Sequence, residues 1–246
     1  RLAKSIDLAL ERKILAAADN VLVVSPSMAK LQKQIYNREY EVIPNGFDPD
    51  NFRNIPQPEQ QQEHFVIRHV GSVSENSVPY GFFKALNQLE DRKKIRVEFI
   101  GQVHSRVQQL INEYNLQELV SLKGYVPHSE AIGLMQNADM LLLSIPRVQH
   151  NELILTGKLF DYLASRTPIL MLGPTEGDAA HIIEELKAGR VSEHDNISRI
   201  KQLLESAIIS YQSPEKEAST AAIDLEKHPY SRISITKQLA DLIKNP

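Results

Sequence analysis

Five short, mainly apolar runs, at 65–70, 96–100, 120–122, 140–144 and 168–172, set the terms on which this 246-residue chain can fold. Segments of helical spacing follow them, at 79–89, 105–114, 129–137, 157–164 and 178–187. A strand with apolar residues on both faces needs cover on both, so the alternation predicts an α/β fold, a Rossmann-like parallel sheet with helices on both sides. Ligands of such sheets bind beyond the strand C-termini, in the loops that lead into helices. Three of those loops stand out here: 71–79, 124–129 and 145–157.

The last of these runs into Leu153–Leu172, LILTGKLFDYLASRTPILML, which reads as a loop, a helix beginning at Thr156-Gly157, and a buried strand. Thr156 can cap the first N–H groups, and Gly157 lets another molecule approach the backbone. The free N–H groups and positive dipole end favour an anion. Lys158 adds a mobile positive charge. Asp161, at i+3 on the same face, can accept hydrogen bonds from hydroxyls attached to that anion. Phosphate and sugar together point to a nucleotide or a nucleotide sugar. A capped surface helix with an i,i+3 ion pair fits the same stretch equally well.

Composition removes several other chemistries. A net charge of −3 offers no bulk field for nucleic acid. The absence of cysteine excludes disulfides, thiolate metal sites and a cysteine nucleophile. The eight histidines show no ligand spacing and no DxD pair precedes a loop, so no metal site is expected. TGKL is not a Walker-type phosphate loop, because Glu152 and Leu159 stand where Gly and Ser or Thr are required, and no G-x-G-x-x-G follows a strand. No run reaches the ~18 apolar residues of a membrane span. The first residue is Arg1, from which a fragment of a longer protein, or a processed one, is expected.

Ahead of the alternation, 2–18 has the spacing of an amphipathic helix, 21–24 of a short buried strand, Ser25-Pro26 of a helix start and 41–43 of a second strand. Residues 48–64, with three prolines and four glutamines, have linker composition. The tail carries a helix near 198–211, a polar stretch, and a final helix opened by His228-Pro229-Tyr230-Ser231. Arg147, His150 and Asn151 can touch a sugar or belong to a polar surface loop. His128 reads as a helix-start residue and Asp178 as an N-cap.

Taken in order, ADNVLVVSPS, VIPNGFDPDNF, VGS opening a loop, LKGYV, ADMLLLS and TGKLFDYLASRTPIL resemble the retaining glycosyltransferases of the GT-B fold, family 4, also called group 1. The resemblance covers essentially the whole chain. It implies two Rossmann-like domains facing a cleft, the N-terminal one for the acceptor and the C-terminal one for the nucleotide-sugar donor. Residues 1–47 then correspond to the end of the acceptor domain, 48–64 to a linker, 65–228 to the donor domain, and 229–246 to a helix that packs back on the N-terminal domain.

By the same resemblance, Gly71 and Ser72 lie in the loop that approaches the donor phosphates, and Tyr125 and Val126 in the loop that holds the base. Thr156, Gly157 and Lys158 receive the pyrophosphate, and Asp161 stands where a glutamate binds the ribose. It further implies that the substrate is a nucleoside-diphosphate sugar, that no cofactor or metal is required, and that the acceptor is a glycan, a lipid or a small molecule. The location implied is cytoplasmic, with association at the inner membrane face through the N-terminal domain, and the role is polysaccharide biosynthesis. The sequence departs from the family in two places. Loop 71–79 lacks the usual Arg or Lys, and the first of two glutamates eight positions apart is replaced by Leu153. A non-catalytic module, or a sugar epimerase or hydrolase on the same fold, fits these residues as well.

Overall fold

The computed structural model describes residues 2–53, 63–212 and 224–244. Helix α1 (Leu2–Ala17), strand β1 (Leu22–Val23), helix α2 (Pro26–Tyr36) and strand β2 (Glu41–Val42) come first. The alternation then runs β3 (Phe65–Val70), α3 (Tyr80–Asn87), β4 (Ile95–Ile100), α4 (Ser105–Glu113), β5 (Val120–Lys123), α5 (His128–Gln136) and β6 (Met140–Ser144). It continues with α6 (Gly157–Ser165), β7 (Ile169–Leu172), α7 (Asp178–Glu185), β8 (Gly189–Ser192) and α8 (Ile197–Gln212), and α9 (Arg232–Lys244) comes last.

Strands β3 to β8 form one parallel sheet in the order β5-β4-β3-β6-β7-β8. Numbered within the sheet this is 3-2-1-4-5-6, in which the chain starts in the middle, builds outward one way, and returns to build outward the other way. Right-handed crossovers place helices on opposite faces for the two directions of travel. Accordingly α3 and α4 bury Phe82, Phe83, Leu86, Val107 and Leu110 against one face, joined by α8. Helices α5, α6 and α7 bury Ile132, Met135, Leu159, Phe160 and Ile183 against the other.

Strand β8 is absent from the sequence expectation because Gly-Arg-Val-Ser is not an apolar run. As an edge strand beside β7 it is only partly covered and does not need to be one. Gly189 is required for the pairing, since a Cβ there would lie 2.0 Å from the Ile169 carbonyl oxygen.

The sheet is not closed at its centre. Strands β3 and β6 pair at Ile67↔Met140 and Arg68↔Leu141, and beyond that point side chains fill the space between them. The Tyr162 hydroxyl, from α6, accepts from the Val70 N–H at 2.8 Å and donates to the Val70 carbonyl at 3.2 Å. On the other side of the sheet, His69 Nδ1 meets the Leu142 carbonyl at 2.9 Å. Both side chains are buried. Tyr162→Phe is therefore expected to cost about 1–3 kcal/mol, because it leaves a buried N–H and a buried carbonyl unpaired. Denaturant unfolding of the variant with no loss of stability would contradict that assignment.

A buried carboxylate helps to dock the N-terminal segment. Asp178 was expected to cap its own helix, but Gly177 holds the N-cap position of α7. The Asp178 carboxylate instead accepts from the Ser27 N–H at 3.2 Å and the Ser27 hydroxyl at 2.9 Å, in the first turn of α2. A negative charge there satisfies free N–H groups and suits the helix dipole. Ser25 caps α2 as its sequence predicts, accepting from the Met28 N–H at 3.3 Å.

Of the stretch read as a linker, 54–62 lies outside the described residues, as do 213–223 of the polar stretch in the tail. Ahead of the first gap, Phe52 is buried edge-on to Phe47, with ring centroids 5.9 Å apart, so the core extends into residues 47–53. The start of α9 is tied to this region by backbone bonds from Phe47 N–H to the Tyr230 carbonyl and from Arg232 N–H to the Phe47 carbonyl, at 3.0 and 2.9 Å.

Candidate functional site

A parallel sheet of this order has its crevice where the direction of building reverses, outside the strand C-termini. Here that is the gap between β3 and β6, and three sequence-selected residues converge beside it. Gly71 and Ser72 leave β3, and Lys158 reaches over from the first turn of α6 to donate to the Ser72 carbonyl at 2.8 Å. Gly71 has φ +118° and no side chain, and a Cβ there would lie 2.4 Å from Lys158 Cε. The glycine makes room for the lysine stem, which is a second reason for glycine beyond close approach by a ligand.

Thr156 stands at the N-cap of α6 with extended backbone, φ −79° and ψ 150°. Its expected capping bond is not made: Oγ1 is buried and has no hydrogen-bond partner among the described residues. The hydroxyl is turned into the protein, so it does not compete for the first-turn N–H groups, which a helix leaves free for an anion. Gly157 is exposed, and a Cβ there would meet nothing within 4 Å.

Lys158 and Asp161 do not form the ion pair that a plain surface helix would offer; Lys158 is bound to Ser72, and Asp161 instead feels His128 and Arg232. Partial burial raises the Asp161 pKa above the ordinary aspartate value, with His128 and Arg232 opposing the shift. Burial likewise lowers that of Lys158. Both groups stand partly desolvated at the mouth of the crevice, where each charge is worth more to a charged or hydroxylated ligand than in bulk water.

Tyr125 and Val126 lie farther along the same sheet edge, past the end of β5. Tyr125 is 84% exposed, while Val126 packs against the core below. The link between the two regions is a residue that sequence reading missed. Gly101 follows β4 at φ +119°, donates its N–H to the Lys123 and Gly124 carbonyls, and lies against Gly71, whose own N–H goes to the Ile100 carbonyl at 2.7 Å. A Cβ on Gly101 would sit 2.7 Å from the Gly71 carbonyl oxygen. The glycine after each of two paired strands was the available signal.

The loop residues that sequence left open are committed elsewhere. The Arg147 guanidinium is bidentate to Asp195 at 2.6 and 2.7 Å, and the Arg147 backbone N–H donates to the Asn76 carbonyl of the 71–79 loop. His150 pairs with Glu152 at 3.2 Å, and the Asn151 amide donates to the Pro146 carbonyl. His128 opens α5 as expected, with Nε2 3.5 Å from the Asn51 amide nitrogen. Among the described residues no group of three or more His, Asp or Glu side chains is placed to hold a metal ion.

The same fold occurs in several solved glycosyltransferases at low sequence identity. WaaG, a glycosyltransferase involved in lipopolysaccharide biosynthesis, superposes with a TM-score of 0.67 at 18% identity, covering 92% of this chain and 62% of that one. HepE from Anabaena, solved in complex with UDP, gives 0.70 at 17% identity, covering 93% and 64%. Sucrose-phosphate synthase from Thermosynechococcus elongatus gives 0.70 at 16% identity, covering 98% and 61%. The chain thus spans somewhat over three fifths of the length of these structures. No curated protein sequence matches it significantly. The family model of the group 1 glycosyl transferases matches residues 50–222, which include the loop after β3, the end of β5 and the start of α6. The chain belongs to the group 1 glycosyl transferases.

Proposed function

We propose that this chain is the donor-binding part of a retaining, family 4 glycosyltransferase of the GT-B type, which moves a sugar from a nucleoside diphosphate to a glycan, lipid or small acceptor. The observation that carries the reading is the Lys158–Ser72 contact over Gly71 at the centre of the sheet. It brings a lysine, a glycine loop and a helix N-terminus to one point. Those are the elements that stabilise the charge building on a departing diphosphate. In this reading Thr156, Gly157 and Lys158 take the pyrophosphate, Gly71 and Ser72 line it, Asp161 accepts from the ribose, and Tyr125 and Val126 border the base. That HepE is described in complexes with UDP and with UDP-glucose supports a uridine donor as the first to try.

The N-terminal segment fits the end of an acceptor domain. Its sheet has two strands, and α1 leaves Ile6, Leu10 and Ile14 exposed along one face. Such a stripe calls for cover by further structure. Residues 229–246 would be the helix that returns to that domain. A cytoplasmic location at the inner membrane face, and a role in polysaccharide biosynthesis, complete the reading.

Calorimetric titration with UDP, GDP and ADP tests it. One of the three is expected to bind, with the same affinity in EDTA as in magnesium, since the site as read needs no metal. No heat from any of them at about millimolar ligand would remove the donor-site reading. One observation favours a second reading, a non-catalytic binding module: loop 71–79 carries no cation, and Arg147 beside it is held by Asp195. Mass spectrometry of products from the full-length protein separates transfer from hydrolysis, epimerisation or no reaction.

A further inference from the structure

Directly beneath the Lys158–Ser72 contact lies a buried group for which the donor site so far has no use. His69 is 2% exposed, between β4 and β6, with its ring 5.7 Å from that of Phe99. A carbonyl only accepts, so the 2.9 Å contact with Leu142 fixes the proton on Nδ1. Nε2 is then a bare lone pair, with no hydrogen-bond partner among the described residues. The Ser72 carbonyl lies close enough to favour a proton on the ring, without closing a hydrogen bond.

The ring is thus placed between two carbonyls, and a neutral imidazole can donate to just one of them. Burial and the Lys158 ammonium keep it neutral, holding its pKa at about 4. The charged group acting on it among the described residues is Lys158 of α6; β4 presents Phe99 and β6 the Leu142 carbonyl.

Docking a diphosphate would reverse both conditions. Lys158 would turn to the anion and release the Ser72 carbonyl, and the local charge would change from positive to negative. We propose that His69 takes up a proton when a nucleoside diphosphate group docks at the N-terminus of α6. The imidazolium then donates to the Leu142 and Ser72 carbonyls, firms the loop, and supplies from below the positive charge that residues 71–79 lack. His69 is a positioning residue in this scheme, and the proposal rests on the donor-site reading. Because the bound state holds more protons, affinity rises as pH falls.

UDP-glucose is a suitable probe, since its diester phosphates do not titrate between pH 5 and 8. Calorimetry in buffers of different ionisation enthalpy is expected to show proton uptake at about pH 5.5 that vanishes by about pH 8, with several-fold tighter binding at the lower pH. His69→Gln should bind at pH 5.5 several-fold more weakly than the unaltered protein and lose both the uptake and the pH dependence, which separates His69 from Asp161 and His128. NMR of the His69 ring carbons in the unaltered protein gives an independent readout, with its titration midpoint expected to move upward on adding UDP-glucose. Binding without uptake, uptake that survives in His69→Gln, or an unmoved His69 midpoint would overturn the proposal. If UDP-glucose, GDP-mannose and ADP-glucose all fail to bind, the donor-site reading falls and this proposal falls with it.

Discussion

Lys158→Ala is expected to weaken nucleoside diphosphate binding by about 1–3 kcal/mol, roughly five- to 150-fold, the range for a charge-assisted contact to phosphate. Calorimetry on the variant reads this directly. The expectation follows from where the ammonium is held. It extends from the first turn of α6 across the central gap of the sheet to Ser72, so it stands at the crevice and not in bulk solvent. Partial burial lowers its pKa, and a diphosphate would replace the lost solvation better than one carbonyl does. The contact with Ser72 is itself exposed, so unfolding free energy should change by less than about 1 kcal/mol. Unchanged affinity in a stably folded variant would remove Lys158 from the donor site.

Gly101→Ala is expected to damage both stability and binding although Gly101 would touch no ligand. Its φ of +119° strains any other residue by about 1–3 kcal/mol. The new Cβ would also sit 2.7 Å from the Gly71 carbonyl oxygen and 2.9 Å from its carbon, backbone atoms that cannot rotate away. Gly71 must shift, and with it the floor on which the Lys158 stem rests. Diphosphate affinity is expected to fall at least about tenfold on top of the stability loss, a loss of more than ~1.4 kcal/mol. Gly124→Ala is the control. A Cβ there meets nothing within 4 Å, so stability should stay within about 0.5 kcal/mol. Equal behaviour of the two variants in unfolding and titration would show that the packing of Gly101 on Gly71 does not matter.

The sheet was legible from the chain because its cause is local and repeated. Each of the five apolar runs sits where a strand forms, and β3 and β6 match the expected bounds of 65–70 and 140–144. Strand β8 was not legible, since an edge strand has little apolar demand to announce it. The start of α6 was legible too, because Thr-Gly-Lys ahead of an amphipathic run marks a helix end wherever it falls. What Thr156 does there was not: hydroxyl direction depends on neighbours, and its Oγ1 turns inward. Asp178 shows the same limit. A carboxylate after glycine suggests a cap, but whether it caps its own helix or α2 depends on which helix end the fold brings beside it.

Sequence by itself therefore determined the α/β class, the family, and the residue types at the crevice, since those follow from periodicity and from short motifs read in order. Tertiary structure alone decided the strand order 3-2-1-4-5-6, the open gap between β3 and β6, and the meeting of Lys158 with Gly71 and Ser72 across it. It also decided that His69, one of two polar residues in β3, lies near that contact with one ring nitrogen unpartnered among the described residues. The physical reason is sequence distance: Ser72 and Lys158 are 86 positions apart, and no local preference acts over that separation. Only the burial of a shared core on both faces of the sheet brings their strand ends together.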